Sequence, residues 1–123
     1  MVKPTEIVNR FYDAWNKKDP EAMAKLLDGN TTYEGPLVTW KGKQQYLEGA
    51  KQVIQGGFNS VKPLKQFENG DTVCSITEIE ISTPNGPILV HGAELTRILG
   101  DKIVESRTFY DPRKIIEFCS PKH

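Results

Sequence analysis

The stretch TVCSITEIEISTPNGPILVHGAELTRILGDKIVESRTFY, residues 72–110, decides the fold. It is rich in β-branched residues, and its EIEI segment at residues 78–81 alternates polar and apolar side chains with the two-residue period of a strand. Turn-forming residues interrupt it at TPNGP, residues 83–87, and at Gly100-Asp101. The stretch predicts three long strands joined by tight turns, over residues 72–83, 88–99 and 102–110.

The residues before this stretch have helical patterns instead. Apolar side chains recur at helical spacing from Ile7 to Trp15, and we expect Thr5 to cap that helix. A second, shorter helix is predicted to begin at Asp19-Pro20, because aspartate suits the N-cap and proline suits the first helical position. Gly29 is predicted to end it.

A third helix is predicted to follow a short strand. The strand runs over residues 30–35, the helix has its apolar face over residues 46–54, and Gly56-Gly57 ends it. From Ser60 onward the pattern changes to strands. Three helices followed by long strands predict an α+β fold in which the helices cover one face of a curved, mostly antiparallel sheet. Such a sheet can leave a cavity between the layers.

Composition excludes several functional classes. The chain has 123 residues, which fits one domain over residues 1–123, and its 16 basic residues balance its 16 acidic ones. Without a basic excess, we expect no nucleic-acid partner. Cys74 and Cys119 lack metal-ligand spacing with His91 and His123, so we expect no metal and no other cofactor.

The predicted cellular location follows from the segments that the sequence lacks. Residues 1–6 contain no apolar signal region, and no stretch approaches the ~20 apolar residues of a membrane span. We therefore expect a cytoplasmic protein that does not contact a membrane. In that location the two cysteines are expected to be reduced thiols, although the sequence leaves a disulfide between them open.

The order of several short motifs resembles the NTF2-like superfamily, and in particular its SnoaL-like and ketosteroid-isomerase-like members. The matching motifs are VNRFYDAW at 8–15, KDPEA at 18–22, TYEGP at 32–36, WKGK at 40–43, ELTRI at 94–98, GDKIVE at 100–105 and FYD at 109–111. The resemblance implies a cone-shaped α+β roll, a cavity for small hydrophobic molecules and frequent dimers through the outer sheet face. It does not imply one reaction.

Carried over by position, most functional residues of these relatives are absent. The ketosteroid isomerases have a tyrosine donor where this chain has Phe11, and a base aspartate where it has Gly35. Their protonated aspartate aligns with Glu94. SnoaL-type cyclases and limonene-epoxide hydrolases carry an aspartate where this chain has Thr108, and threonine cannot act as a carboxylate base at neutral pH. We therefore do not expect any of those three reactions as such.

The remaining candidate site residues are those that should face the cavity. Strand alternation and the resemblance together predict two inward sets, which are Gly92, Glu94 and Thr96 on one strand and Ser106, Thr108 and Tyr110 on the next. The predicted aromatic wall consists of Phe11, Trp15 and Tyr33. Burial would raise the pKa of Glu94 and suit it to general acid or base catalysis. Alternatively, Glu94 is a structural acceptor for the hydroxyl groups around it.

Other polar residues are predicted to face outward. His91 has the opposite strand parity to Glu94 and is more typical of a surface or interface residue than of a catalyst. Arg107 is predicted to pair with an acidic residue on a neighbouring strand, such as Glu78 or Glu80. The remaining residues predicted to face outward are Tyr12, Asp13 and Glu34.

Two functions remain open from the sequence. One is a cofactor-independent enzyme, an isomerase, lyase or hydrolase, that uses Glu94 as general acid or base. The other is a non-catalytic module that binds a hydrophobic ligand or a protein partner. A homodimer is also expected, because the apolar residues Ala93 and Leu95 alternate with Glu94 and so face outward.

Overall fold

The computed structural model of the protein describes residues 2–119. Its helices and strands, in chain order, are α1 (Pro4–Asn16), α2 (Pro20–Leu26), β1 (Leu27–Glu34), β2 (Thr39–Lys41), α3 (Lys43–Gln55), β3 (Phe58–Asn69), β4 (Thr72–Thr83), β5 (Gly86–Leu99), β6 (Lys102–Tyr110) and α4 (Arg113–Cys119). The prediction of three long strands over residues 72–110 is confirmed, and the turns fall where the glycines predict them.

The six strands form one sheet in the order β2-β1-β6-β5-β4-β3. Every neighbouring pair is antiparallel except β1 and β6, which are parallel. The predicted α+β roll with a mostly antiparallel sheet is therefore confirmed. The parallel pair places the first strand of the chain next to the last, so residues far apart in sequence share one part of the sheet.

The helices cover one face of this sheet. Helix α1 packs against β3, β4, β5 and β6, while α3 packs against β1. Every second residue of β4 from Val73 to Thr77 is buried on this face. The buried core lies between α1, α3 and this inner face, and it includes Ile7, Met23 and Ile103. Strand alternation thus separates an inner face from an outer one.

The helix ends confirm some sequence predictions and correct others. The Asp19 carboxylate accepts hydrogen bonds from the backbone N–H groups of Glu21 and Ala22, as expected of an N-cap before Pro20. Thr5 is not a cap, because α1 begins one residue earlier at Pro4, and the Thr5 hydroxyl donates instead to Glu68. Gly29 does not end α2, because the chain enters β1 directly at Leu27.

Two short elements were not predicted. Strand β2 pairs with β1 and opposes Trp40 to Tyr33, and α4 follows β6 where the sequence pattern was ambiguous. No helix within residues 2–119 is long and apolar enough to cross a membrane. Cys74 is a free thiol, whereas the side chain of Cys119 lies outside the described part of the chain.

Candidate active site

A cavity of about 300 Å³ opens between the helices and the inner face of the sheet. Its walls are mostly aliphatic and aromatic, and they come from α1, α3, α4, the β1–β2 segment and strands β3 to β6. The lining residues are Tyr12, Trp15, Tyr33, Leu37, Val38, Trp40, Tyr46, Val53, Gly56, Phe58, Val61, Thr77, Ile79, Ile81, Val90, Glu94, Thr108, Tyr110 and Ile115. This composition is typical of a small-molecule site with few polar groups.

Glu94 is held in this cavity by two hydroxyl groups. The Tyr12 hydroxyl on α1 donates to Glu94 Oε1 at 2.7 Å, and the Thr108 hydroxyl donates to Oε2 at 2.9 Å. Thr108 lies directly opposite Glu94 in the β5–β6 register. Each carboxylate oxygen therefore has one protein donor, and each keeps the capacity to accept a further hydrogen bond.

Burial sets the protonation behaviour of this group. Desolvation raises the pKa of Glu94 above its ordinary value, while the neighbouring hydroxyl groups of Tyr12, Thr108 and Thr96 lower it in part. Burial and the nearby Glu94 charge both raise the pKa of Tyr12, so its phenol stays protonated and remains a donor. Glu94 is therefore a weaker acid than an exposed glutamate, and the hydroxyl groups that hydrogen-bond to it are neutral.

An aromatic wall faces the same space. The ring centroids of Tyr33 and Trp40 are 4.9 Å apart, those of Trp40 and Tyr46 are 5.0 Å apart, and those of Tyr33 and Tyr46 are 5.9 Å apart. The Trp15 indole N–H donates to the Tyr46 hydroxyl at 3.2 Å. These contacts fix the rings relative to one another.

The structure places most of the predicted site residues in the cavity. Five of the predicted residues line it with their side chains, namely Trp15, Tyr33, Glu94, Thr108 and Tyr110. Phe11 does not line it, because its ring packs in the core against Tyr46 at 5.7 Å between centroids. Ser106 does not line it either. It faces inward as predicted, but it is buried beside Tyr33 and Thr96, one inward position along β6 from Thr108.

Tyr12 corrects the sequence interpretation most clearly. Its predicted position is outward, toward solvent or a subunit contact, yet it is only 4% exposed and its hydroxyl donates to Glu94. Tyr12 and Trp15 are three residues apart and both line the cavity, as expected for one face of a helix. A tyrosine hydroxyl therefore enters the cavity from the first helix one residue after Phe11, whereas Asp13 is exposed as predicted.

Gly35 leaves no room for the carboxylate that the ketosteroid isomerases carry at that position. A Cβ atom at Gly35 would lie 2.8 Å from the Tyr33 hydroxyl oxygen. The phenol of Tyr33 thus occupies the space that a side chain at residue 35 would need. Burial raises the pKa of Tyr33, so this group is a neutral donor and not a replacement base.

The charged residues predicted to lie outside the cavity do so. His91 on β5 is exposed on the outer face and contacts the Glu78 carboxylate at 3.0 Å. Arg107 pairs with Glu34 at 3.5 Å and not with Glu78 or Glu80, because β6 runs parallel to β1 in this sheet. Glu34 is exposed as expected.

Several lining residues were missed by sequence reasoning. Trp40 and Tyr46 contribute two of the three rings in the aromatic wall, and Leu37, Val38 and Ile115 add apolar surface. The WKGK motif contained Trp40, but a three-residue strand has too few residues for a periodic signal. Within residues 2–119 no group of three His, Cys, Asp or Glu residues has the arrangement of a metal site.

Comparisons with known proteins agree with the observed fold. An NTF2-like protein of unknown function from Cytophaga hutchinsonii is 25% identical with a TM-score of 0.82, and the match covers 94% of this chain and 96% of that one. A hypothetical protein with a ketosteroid isomerase-like fold from Catenulispora acidiphila, solved in complex with trimethylamine, is 23% identical with a TM-score of 0.82, covering 93% and 92%. An LEH-like epoxide hydrolase from M. tuberculosis is 14% identical with a TM-score of 0.81, covering 94% and 88%.

A family model adds a sequence-level match over most of the chain. No curated protein sequence matches this chain. The family model described as a SnoaL-like domain, however, matches residues 8–106. The chain therefore belongs to the SnoaL-like domain family.

Proposed function

We propose that this protein binds a small hydrophobic molecule in the cavity and moves a proton on it through Glu94, as a cofactor-independent isomerase, dehydratase or cyclase. One observation carries the proposal. A carboxylate with a donor on each oxygen lines a cavity whose other lining residues carry no formal charge. Perturbed acids in apolar clefts are the usual groups for general acid–base catalysis.

The hydrogen bonds around Glu94 suit both directions of proton transfer. In its ionised form Glu94 can accept a proton from a carbon or hydroxyl group of the substrate, and in its protonated form it can return that proton elsewhere. The donors Tyr12 and Thr108 stabilise the ionised form, and burial stabilises the neutral one. A pKa moved toward neutrality keeps both forms accessible. Because Glu94 ends an isomerisation in the protonation state in which it began, that step needs no co-reactant, and a deuteron from D₂O can replace the proton that Glu94 holds in between.

Hydrogen–deuterium exchange tests this proposal without knowledge of the product. Ketones, enones and alcohols with one or two rings are incubated with the protein in D₂O, and deuterium at carbon is followed by NMR. We expect exchange with the wild-type protein and none with Glu94→Gln. Glu78→Gln removes the same charge from the outer face and is the matched control. Exchange that is equal in the wild-type protein and the Glu94→Gln variant would refute a catalytic role for this carboxylate.

A second candidate function is supported by the positions that lack carboxylates. Gly35 and Thr108 stand where relatives have aspartates, so the cavity has one acid where those enzymes use more. In a non-catalytic binding protein Glu94 would only hold the ligand. Ligand binding by the wild-type protein with no exchange or turnover of any bound compound would favour this function.

We also propose that two copies pair through the outer sheet face. Leu95, Phe67 and Phe109 are 39–53% exposed, and the register sets Phe67 and Leu95 on either side of Cys74. An apolar surface of this kind is typical of an interface. Sedimentation of the wild-type protein as a dimer, and of Leu95→Lys as a monomer, would support the pairing. Leu37→Lys adds the same charge at the cavity mouth and should leave the dimer intact. A monomeric wild-type protein at micromolar concentration would refute it.

A further inference from the structure

We propose that the Glu94 cavity selects hydrophobic amines, which it binds as ammonium ions. The inference rests on the proposed function, because it names the class of molecule that the same cavity takes. Three independent features support it, which are the charge of the lining, the aromatic rings in the lining and the free acceptor capacity of the carboxylate.

The lining carries charge of one sign only. Among the described residues that line the cavity, Glu94 is the only carboxylate, and there is no lysine, arginine or histidine. The remaining ionisable groups in this lining are tyrosine phenols. A carboxylate or phosphate ligand would therefore enter an apolar space with no cation to pair with, which is costly. An ammonium group placed beside Glu94 instead neutralises the one charge present.

The aromatic wall adds negative potential to the same space. The ring centroids of Tyr33, Trp40 and Tyr46 lie within 6 Å of one another, with Tyr33 and Trp40 tilted by 31° and Tyr46 edge-on to both, and all three rings line the cavity. The face of each ring attracts cations, and the attraction strengthens when water is excluded. Trp15 extends this wall next to Tyr46. Anions gain nothing from such a surface.

The carboxylate is arranged as an acceptor for a further donor. Tyr12 and Thr108 each donate one hydrogen bond, one to each oxygen, and a carboxylate has about four acceptor positions. Because the Thr96 hydroxyl also lies beside this carboxylate, at least one position remains for an N–H group of an ammonium ion. The two hydroxyl donors also favour the ionised form, which is the form that pairs with a cation.

The groups that face Glu94 do not compete with it in titration. The titratable groups near Glu94 are the phenols of Tyr12 on α1, Tyr33 on β1 and Tyr46 on α3. A fourth phenol, that of Tyr110 on β6, lines the same cavity. Burial raises the pKa of all four, so they stay neutral while Glu94 ionises. The affinity for a cation whose own charge stays constant should therefore rise with pH through the titration of Glu94 alone.

The chain supplies its own optical signal for a binding experiment. It contains two tryptophans, Trp15 and Trp40, and both line the cavity. A cavity of about 300 Å³ suits a single-ring probe. Benzylammonium is the probe cation because it has N–H donors and stays charged at both pH values, and 1-phenyl-2-propanone is the neutral probe. Tryptophan fluorescence is titrated with each at pH 4.5 and pH 8.

We expect the cation to bind about tenfold more tightly than the ketone at pH 8, which is the scale of a cation–π contact combined with a half-buried charge pair. Its affinity should fall at pH 4.5, and Glu94→Gln should weaken it about tenfold at pH 8. Glu78→Gln, which removes a carboxylate from the outer face, should bind the cation as the wild-type protein does.

Three results would overturn the inference. Binding of the ketone but not of the cation would overturn amine selection and leave the proposed proton transfer intact. Binding of neither probe would overturn both. If Glu94→Gln does not fold, the wild-type pH series still decides, because equal cation affinity at pH 4.5 and pH 8 contradicts a role for the Glu94 charge.

Discussion

Replacing Gly49 by alanine tests how closely the cavity wall is packed. Gly49 lies inside α3 and is buried against the indole of Trp40. A Cβ atom at this position would lie within 2.5 Å of three indole atoms, including Nε1. Because a rigid ring cannot move away at one end only, Trp40 would have to shift as a whole and disturb Tyr33 and Tyr46, which it contacts.

Two opposing effects decide the sign of the change in stability. Alanine is favoured over glycine inside a helix by about 1 kcal/mol. Overpacking of a filled site typically costs about 1–3 kcal/mol, and an overlap of this depth lies at the upper end of that range. We therefore expect Gly49→Ala to lower the free energy of unfolding by about 1–2 kcal/mol, which corresponds to about 4–8 °C in Tm for a domain of this size.

Urea unfolding followed by circular dichroism measures this change, and tryptophan fluorescence reports the displaced indole. A double-mutant cycle with Trp40→Leu supplies the control. In that background the overlap is relieved, so Gly49→Ala should be neutral or stabilising. An unfolding free energy equal to or above that of the wild-type protein, with an unchanged fluorescence spectrum, would refute the proposed packing of Trp40 on α3.

Three further predictions concern Glu94, its donor and a helix cap. Burial raises the pKa of folded Glu94 above the unfolded value of 4.5, so the folded state holds this proton more tightly than the unfolded state does. The stability of the wild-type protein should therefore fall relative to that of Glu94→Gln as the pH rises from about 4.5 through the folded pKa. Urea midpoints of the two proteins that run parallel from pH 4 to pH 8 would contradict this. Tyr12→Phe removes a hydrogen bond that lowers the pKa of Glu94, so that pKa should rise further in a carboxyl ¹³C titration, and a fall would show that Tyr12 does not donate to it. Asp19→Ala should cost about 1 kcal/mol in urea unfolding, since it removes the cap of α2, whereas Asp19→Asn should keep most of that stability.

The sequence predicted the long strands well because their signal is local. Alternation and turn residues placed β4, β5 and β6 within two residues of their observed ends. The same alternation placed Glu94 and Thr108 on the inner face, where they meet across the β5–β6 register. Side-chain direction in a strand alternates with parity between bulges, so a correct strand assignment settles it only up to the next bulge. On β6 the register shifts between Ile103 and Glu105, which is why Ile103 and Ser106 are both buried.

The helix and the non-local contacts were harder to predict. On α1 the neighbours Phe11 and Tyr12 differ by about 100° in direction, and both point into the protein, so the pattern could not say which one reaches the cavity. The pairing of Arg107 with Glu34 depends on β1 running beside β6, which no local pattern reveals. The wall formed by Trp40 and Tyr46 likewise depends on how α3 packs over β1.

The cavity is organised around one acid, and this limits the chemistry that it can perform. A second carboxylate at residue 35 would have to displace the Tyr33 hydroxyl, which lies within 2.8 Å of any Cβ there. Mechanisms that need an acid and a separate base on opposite sides of the substrate therefore lack one partner. A mechanism in which Glu94 both removes and returns the proton needs only the groups present. Burial keeps the phenols of Tyr33 and Tyr46 neutral, so in the proposed function they would contribute hydrogen bonds and ring contacts to the ligand while Glu94 alone changes charge.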